Sequence, residues 1–297
     1  MTSAEYASCV REIDTPHGRF AYADTGEGPP VLFVHGLLIS GFMWHRVIEE
    51  VRGERRCIAY HLPHHGGSTV PDDQPLTLEA HAEMLDGFCE ALGLDGIDVV
   101  ANDTGGAIAQ ALAVGFPGRV RSLVLTNCEA NDWLPSKDEL AVMVEALARQ
   151  GQLAPALKAG HDDPAGARQG PFALTYQWPD RISDDEIAGL QRPHQATLEG
   201  ARKLEQAVVA LDSEQLVALE PALRQLTVPT LLVWGTGDQI FPLHLAEWLR
   251  DTIPGCQELV EVPDGKLFWP FERGGELTPH LRRFWSAIAA GDGAAVT

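Results

Sequence analysis

The apolar run Ile97-Asp98-Val99-Val100 passes directly into Ala101-Asn102-Asp103-Thr104-Gly105-Gly106, and that into the helix-forming stretch Ala107-Ile108-Ala109-Gln110-Ala111-Leu112-Ala113. A strand that becomes a helix within so few residues brings the two backbones close together. The small residues at 101 and 105 meet that demand, and the residue at the apex is held in a strained conformation. Asp103 occupies the apex. A carboxylate placed alone in a pocket is suited to attack on saturated carbon, displacing a leaving group or opening an epoxide to form an ester. The residue therefore points away from amide or ester hydrolysis.

With 297 residues the chain is long enough for one large domain or for a core with an inserted cap. A formal net charge of −20 opposes binding to nucleic acid or to anionic membrane surfaces. The five cysteines, Cys9, Cys57, Cys89, Cys128 and Cys256, are odd in number and lack C-x-x-C spacing, so buried or free thiols are expected rather than disulfides or a zinc site. The opening Met-Thr-Ser-Ala-Glu-Tyr has neither a basic nor an apolar targeting segment, and no apolar stretch reaches bilayer length. These features make a cytoplasmic enzyme the expectation.

Apolar runs alternate with amphipathic helical patterns over the first 130 residues, as in a mostly parallel sheet with helices on both faces. Strands are predicted near 8–13, 18–24, 30–34, 56–60, 97–102 and 121–127, and helices near 41–52, 77–92 and 104–117, the last stopped by Pro117-Gly118. From 132 to 226 helical stretches dominate, among them 139–150 and 199–211, separated by loop-like segments such as 161–170. Strand and helix then alternate again, with strands near 229–234 and 258–262 and helices near 243–253 and 274–290; residues 291–297 are expected to fray. The pattern divides the chain into a core (1–131 and 227–297) and an inserted helical cap (132–226) over the carboxyl edge of an eight-stranded sheet, where ligands bind in such folds.

Four segments give this organisation a family likeness. They are Val34-His35-Gly36 after the third strand, His61-Leu62-Pro63-His64-His65-Gly66-Gly67-Ser68 after the fourth, Asn102-Asp103-Thr104-Gly105-Gly106 at the elbow, and Trp234-Gly235-Thr236-Gly237-Asp238 beyond the cap. Together they make the chain resemble the α/β-hydrolase superfamily, in its aspartate-nucleophile branch of haloalkane dehalogenases and epoxide hydrolases. With this likeness the expectation extends to a small organic substrate, no cofactor or metal, and a monomer or homodimer. The resemblance implies that Leu37 and Thr104 offer backbone N–H groups to an oxyanion, and that His35 pins the loop between them. It implies that Asp238 orients a general base, with Glu129 as an alternative acid, although Asp238 also fits a plain Asp-initiated turn.

The family's base is a histidine after the last strand, where this chain reads Val262-Pro263-Asp264-Gly265-Lys266-Leu267-Phe268; matching the segments places Lys266 at its position. Imidazole titrates near neutrality, whereas lysine has an unperturbed pKa of about 10.4, and carboxylates at 103 and 238 would hold it as the ammonium. A charged Lys266 between Asp103 and Asp238 is the expectation. It is compatible with a modified hydrolysis, with isomerase, cyclase or lyase chemistry, with a silent binding protein, or with a change that traps a covalent adduct. His61, His64 and His65 are expected to be solvated or hydrogen-bonded rather than to bind metal, and His161 and His194 to lie on the surface.

The branch's substrate markers also differ here. Thr104 stands where haloalkane dehalogenases carry a halide-binding Trp, and His35-Gly36-Leu37-Leu38 matches neither their His-Gly-Asn/Glu nor the His-Gly-x-Pro of epoxide hydrolases. Tyr176 is the cap phenol available to protonate an opened epoxide; Trp133 is placed with it in the substrate pocket, and Trp178 is open to lining the pocket or to packing, the commoner role of aromatic residues in a helical cap. Epoxide opening is therefore placed slightly ahead of dehalogenation.

Overall fold

The structure, a computed structural model, describes the backbone of residues 1–295 and the side chains of residues 1–291. Its centre is one sheet of eight strands: β1 (Val10–Thr15), β2 (Gly18–Thr25), β3 (Pro30–Val34), β4 (Arg56–Tyr60), β5 (Ile97–Asn102), β6 (Val120–Thr126), β7 (Thr230–Gly235) and β8 (Cys256–Val262). Their spatial order is β1-β2-β4-β3-β5-β6-β7-β8. The first two strands are antiparallel to their neighbours, and every pairing from β4 to β8 is parallel.

The central parallel strands are nearly continuous apolar runs because both faces of the sheet are covered there, whereas the edge strand β8 is partly exposed. All six residues of β5 and all six of β7 are buried. One charged residue lies inside β5: Asp98 accepts hydrogen bonds from Arg55 at 2.9 Å, from Arg121 Nε at 3.0 Å and from Ser122 at 2.6 Å, so its charge is paired at the end of the strand away from the elbow.

The chain begins with α1 (Ser3–Ser8), which precedes β1 and shifts that strand two residues beyond its predicted position. A capping box between Thr2 and Glu5 starts this helix, a T-x-x-E signal that is readable in the sequence. The 41–52 prediction resolves into a 3-10 turn at Gly41–Trp44 and α2 (His45–Val51). Helices α3 (Leu78–Ala91) and α4 (Thr104–Gly115) follow, both within the predicted spans.

Between β6 and β7 the regular elements are helical. They are α5 (Glu139–Arg149), α6 (Leu153–Asp162), α7 (Pro164–Ala167), α8 (Asp184–Gln191), α9 (Leu198–Val209), α10 (Ser213–Val217) and α11 (Glu220–Leu223), with 3-10 turns near 171–175 and 179–181. The 161–170 segment, expected as loop, holds the end of α6 and all of α7, the latter started by Asp163 and Pro164. A satellite apolar cluster joins α5, α6 and α9 to Leu38 of the core, and so ties these helices to the loop after β3. After β7 come α12 (Leu243–Thr252), α13 (Trp269–Glu272) and α14 (Gly274–Ala295). The last helix continues through residues 291–295, which were expected to fray, while 296–297 lie outside the described residues. No helix among the described residues is long and apolar enough to cross a membrane.

Candidate active site

The site begins at the turn from β5 to α4. Asp103 has φ 56° and ψ −143°, a left-handed conformation that a non-glycine residue adopts only when its surroundings impose it. The surroundings do so through contact. A Cβ on Gly105 would meet the carbonyl oxygens of Val34 and His35 at 2.6 Å, and one on Gly36 would meet the Cβ of Asp103 at 2.3 Å. Only glycine lets β3, its following loop and the elbow approach this closely. The Asp103 N–H donates to Asn127 O at 2.8 Å, and Gly106 N–H donates to Asp103 O at 2.7 Å, which fixes the turn from both sides.

The Asp103 side chain opens into a cavity of about 120 Å³ between the sheet edge and the helices above it. Its walls are largely apolar, with Leu134, Leu140, Val144, Phe172, Leu211 and Phe268 among them. Asp103 Oδ1 accepts from Thr104 N at 2.5 Å and lies 3.0 Å from Thr104 Oγ1. Burial in this apolar surrounding raises the Asp103 pKa to about 6, against the lowering effect of the Thr104 bonds. Leu37 and Thr104 both line the cavity. His35 is buried beneath the loop, with Nδ1 2.7 Å from Gly36 O and Nε2 accepting from Leu62 N at 3.1 Å, so both ring nitrogens are spent on holding backbone.

Glu129, named from sequence only as an alternative acid, also lines this cavity and is 3% exposed. Its Oε1 lies 2.7 Å from Thr104 Oγ1, and its Oε2 has no hydrogen-bond partner. Burial, then the nearby Asp103 charge, push its pKa well above the ordinary carboxylate range. The cavity thus holds two carboxyl groups on either side of one threonine hydroxyl. The sequence signal for this was only a glutamate three residues after the strand beside β5.

The placement of Lys266 departs from expectation. The turn Pro263-Asp264-Gly265, with Asp264 at φ 57°, sends successive side chains apart: Leu267 is 3% exposed and lines the Asp103 cavity, whereas Lys266 does not line it. Asn102 Nδ2 donates to Leu267 O at 3.1 Å and Phe268 N to Thr175 O at 3.2 Å, which locks this register. Lys266 instead borders a separate outer cavity of about 260 Å³ with Asp138, Glu139 and Asp238, and makes no ion pair within 4.0 Å among the described residues. An apolar side chain, not an ammonium group, is what this turn presents to Asp103.

Asp238 is buried but likewise lies outside the Asp103 cavity. Asn127 Nδ2 donates to its Oδ2 at 3.0 Å and Ile240 N to its Oδ1 at 2.9 Å, so an amide and a backbone N–H occupy it where the Lys266 ammonium was expected. Burial raises its pKa to about 7.

Two aromatic residues assigned to the pocket are elsewhere. Trp133 Nε1 donates to Ile240 O at 2.8 Å, and the ring is not part of the cavity wall. Tyr176 packs against Phe268 and Phe271 and faces a different cavity of about 40 Å³, lined by Leu38, Ile39 and Ile182. Tyr176 is not part of the Asp103 cavity wall. Trp178 is likewise absent from the wall and stacks under Arg181.

No histidine lines the Asp103 cavity. His61 and His65 are hydrogen-bonded, as expected, with His61 Nε2 2.9 Å from the Tyr6 hydroxyl and His65 Nε2 accepting from Leu38 N at 3.2 Å, and both are buried; His194 is 4% exposed, contrary to its expected surface position. These rings pack around His35 under the 36–40 loop, with His35 to His65 centroids at 5.3 Å and His65 to His194 at 5.2 Å. Desolvation and mutual proximity lower their pKa values, so they are neutral packing groups. His161, by contrast, is partly exposed. No group of three or more His, Cys, Asp or Glu side chains among the described residues is arranged to hold a metal ion.

Comparison with known proteins agrees with this architecture. A family model described as the alpha/beta hydrolase fold matches residues 29–158. "Haloalkane dehalogenase 2" of Mycobacterium tuberculosis (strain ATCC 25618 / H37Rv) is 29% identical over 276 residues, covering 87% of this chain and 88% of that protein. The 2-hydroxymuconate semialdehyde hydrolase of Pseudomonas sp. (strain CF600) is 28% identical over 255 residues, covering 83% of each. Among solved structures, haloalkane dehalogenase DbeA from Bradyrhizobium elkani USDA94 superposes with a TM-score of 0.78 at 23% identity, covering 95% of this chain and 99% of that one. At that identity the superposition speaks for the fold.

Proposed function

We propose, for a chain that belongs to the α/β-hydrolase superfamily, that Asp103 is the nucleophile of an enzyme acting on a small apolar electrophile, an alkyl halide or an epoxide, beneath a cap formed by residues 132–226. The observation that carries the reading is the Asp103 carboxylate at a strained apex, desolvated in an apolar cavity of about 120 Å³. A carboxylate stripped of water is a stronger nucleophile, and a pKa of about 6 leaves it mostly ionised at neutral pH. The cavity's size suits a molecule of a few carbon atoms, on the scale of an engineered cavity of about 150 Å³ that admits benzene. The curated relatives named above are hydrolases, which supports hydrolysis as the overall reaction.

The reading assigns Thr104 N–H, and Leu37 beside it, to the ester oxygen, and His35 to holding their loop. It assigns no step to Lys266, Trp133 or Tyr176, because none of them borders the cavity.

A second reading follows from one observation. Leu267 stands where the turn after β8 meets Asp103, so the cavity contains no imidazole to activate water. That favours non-hydrolytic chemistry, or binding alone, in the same pocket. Intact-mass measurement separates the readings. Incubation with butyl bromide is expected to leave a butyl group on the protein, and butylene oxide to give diol through a transient hydroxybutyl ester, with neither seen for Asp103→Asn. An unmodified mass with no bromide or diol released, and ligand affinity retained, would favour the second reading.

A further inference from the structure

We propose that Glu129 is the proton donor and then the base of the Asp103 reaction, and that the electrophile fitted to this cavity is an epoxide. The proposal rests on Asp103 being the nucleophile. Its geometric basis is Thr104 Oγ1, which lies 3.0 Å from Asp103 Oδ1 and 2.7 Å from Glu129 Oε1. A threonine hydroxyl has one proton to donate. Both contacts are hydrogen bonds only if one of the two carboxyl groups is protonated, and because Thr104 N already donates to the same Asp103 oxygen at 2.5 Å, the proton belongs to Glu129, which donates to Thr104 as Thr104 donates to Asp103. The burial of Glu129 and its nearness to the Asp103 charge keep that proton in place. Its Oε2 is buried without a partner, although the residue forms part of the cavity wall. Such an oxygen is costly to leave unpaired and is available to a polar atom entering the site.

An alkyl halide leaves as a stable anion and takes no proton, whereas an opened epoxide leaves an alkoxide that requires one. In the first step the Asp103 carboxylate forms a C–O bond to one ring carbon, and that carbon's bond to the ring oxygen breaks. The alkoxide takes the Thr104 hydroxyl proton, and Thr104 takes the Glu129 proton in its place. The products are a hydroxyalkyl ester on Asp103 and a Glu129 carboxylate, which the loss of the Asp103 charge makes easier to hold. In the second step that carboxylate takes a proton from water as the water oxygen adds to the ester carbonyl carbon. The tetrahedral intermediate then expels the alkoxide, which takes the proton of the new carboxyl group. Asp103 ends ionised and Glu129 protonated, and the net change is epoxide plus water to vicinal diol. Glu129 thereby supplies the base that Leu267 does not.

The test compares two reagents on the full chain, butyl bromide and butylene oxide, with Glu129→Gln beside the unaltered protein. Removal of a general acid or base costs about 100-fold or more. Glu129→Gln is expected to lose at least that factor in its reaction with the epoxide while its alkylation by the bromide stays within about threefold. Equal losses with both reagents, or no loss with either, would overturn the proposal. Failure of the unaltered protein to react with either reagent would overturn the nucleophile reading itself, and this proposal with it.

A second measurement needs no variant. The groups facing Glu129 are Asp103 and Thr104 at the elbow, Gln110 on α4, Cys128 beside it, and Glu145 on α5 across the cavity. Alkylation by the bromide should rise with pH through Asp103 ionisation near 6 and then stay level. Reaction with the epoxide should rise over the same range and fall again at higher pH as Glu129 loses its proton. Identical profiles for the two reagents would overturn the proposal.

Discussion

The side-chain amide of Asn102 donates to the backbone carbonyl of Leu267 across 3.1 Å, so the last residue of β5 holds the turn after β8 against the turn that carries Asp103. The same amide reaches Thr126 Oγ1 at 3.0 Å, which ties the ends of β5 and β6 to the turn after β8. This bond determines which residue of the turn meets Asp103. It selects Leu267 and leaves Lys266 on the far side.

Leu267→His is therefore expected to place an imidazole in the cavity and to shorten the lifetime of an alkyl bromide adduct by about tenfold or more, the scale of one general base. Lys266→His and Lys266→Ala should leave that lifetime within about twofold, since neither position borders the cavity. Following adduct mass against time checks all three. Faster clearance in Lys266→His alone would place the site's register one residue earlier.

Asn102→Ala removes the donor from Leu267 and Thr126 at a buried position. Leaving buried acceptors unpaired costs about 1–3 kcal/mol. Urea unfolding should show a loss of that size, together with slower alkylation as the turn loosens.

The elbow was legible in the sequence because its chemistry is local: small residues at 101 and 105 and a carboxylate between them admit few conformations. The eight strands were legible from their apolar runs, with β1 displaced by two residues because the Thr2 and Glu5 capping box starts a helix ahead of it. The position facing Asp103 was not, because a turn containing a left-handed Asp264 rotates side chains by an amount that composition does not reveal. Neither was the direction of Tyr176 and Trp133, since an aromatic side chain in a helical segment reads the same whichever cavity it faces. Glu129 became visible as a partner only when β5 and β6 were paired, with Asn102 opposite Thr126.

The two phenol and lid positions can be separated by substitution. Tyr176→Phe should leave adduct formation within about twofold, because the ring faces another cavity. Leu211→Trp fills the Asp103 cavity and should slow alkylation more than tenfold, at a stability cost of about 1–3 kcal/mol from overpacking. Intact mass and thermal melts read both effects.

Asp238 has a pKa raised to about 7 by burial, above its unfolded value, so the folded chain holds this proton over a range where the unfolded chain has released it. The sign follows from that difference: stability from this group is full below about pH 4 and declines as pH rises toward 7. Asp238→Asn cannot ionise. Its melting temperature should fall less than that of the unaltered protein between pH 5 and pH 8, by an amount equivalent to roughly 1–3 kcal/mol. An equal fall in both would mean that Asp238 is ionised in the folded chain.

The central claim, an ester on Asp103 that water then cleaves at the carbonyl carbon, is tested most directly by a single turnover of epoxide in water labelled with heavy oxygen. Peptide mapping is expected to find the label in the Asp103 carboxylate and an unlabelled diol from that first turnover. Label in the diol with an unlabelled Asp103 would show that water attacks the substrate itself, and would contradict the account.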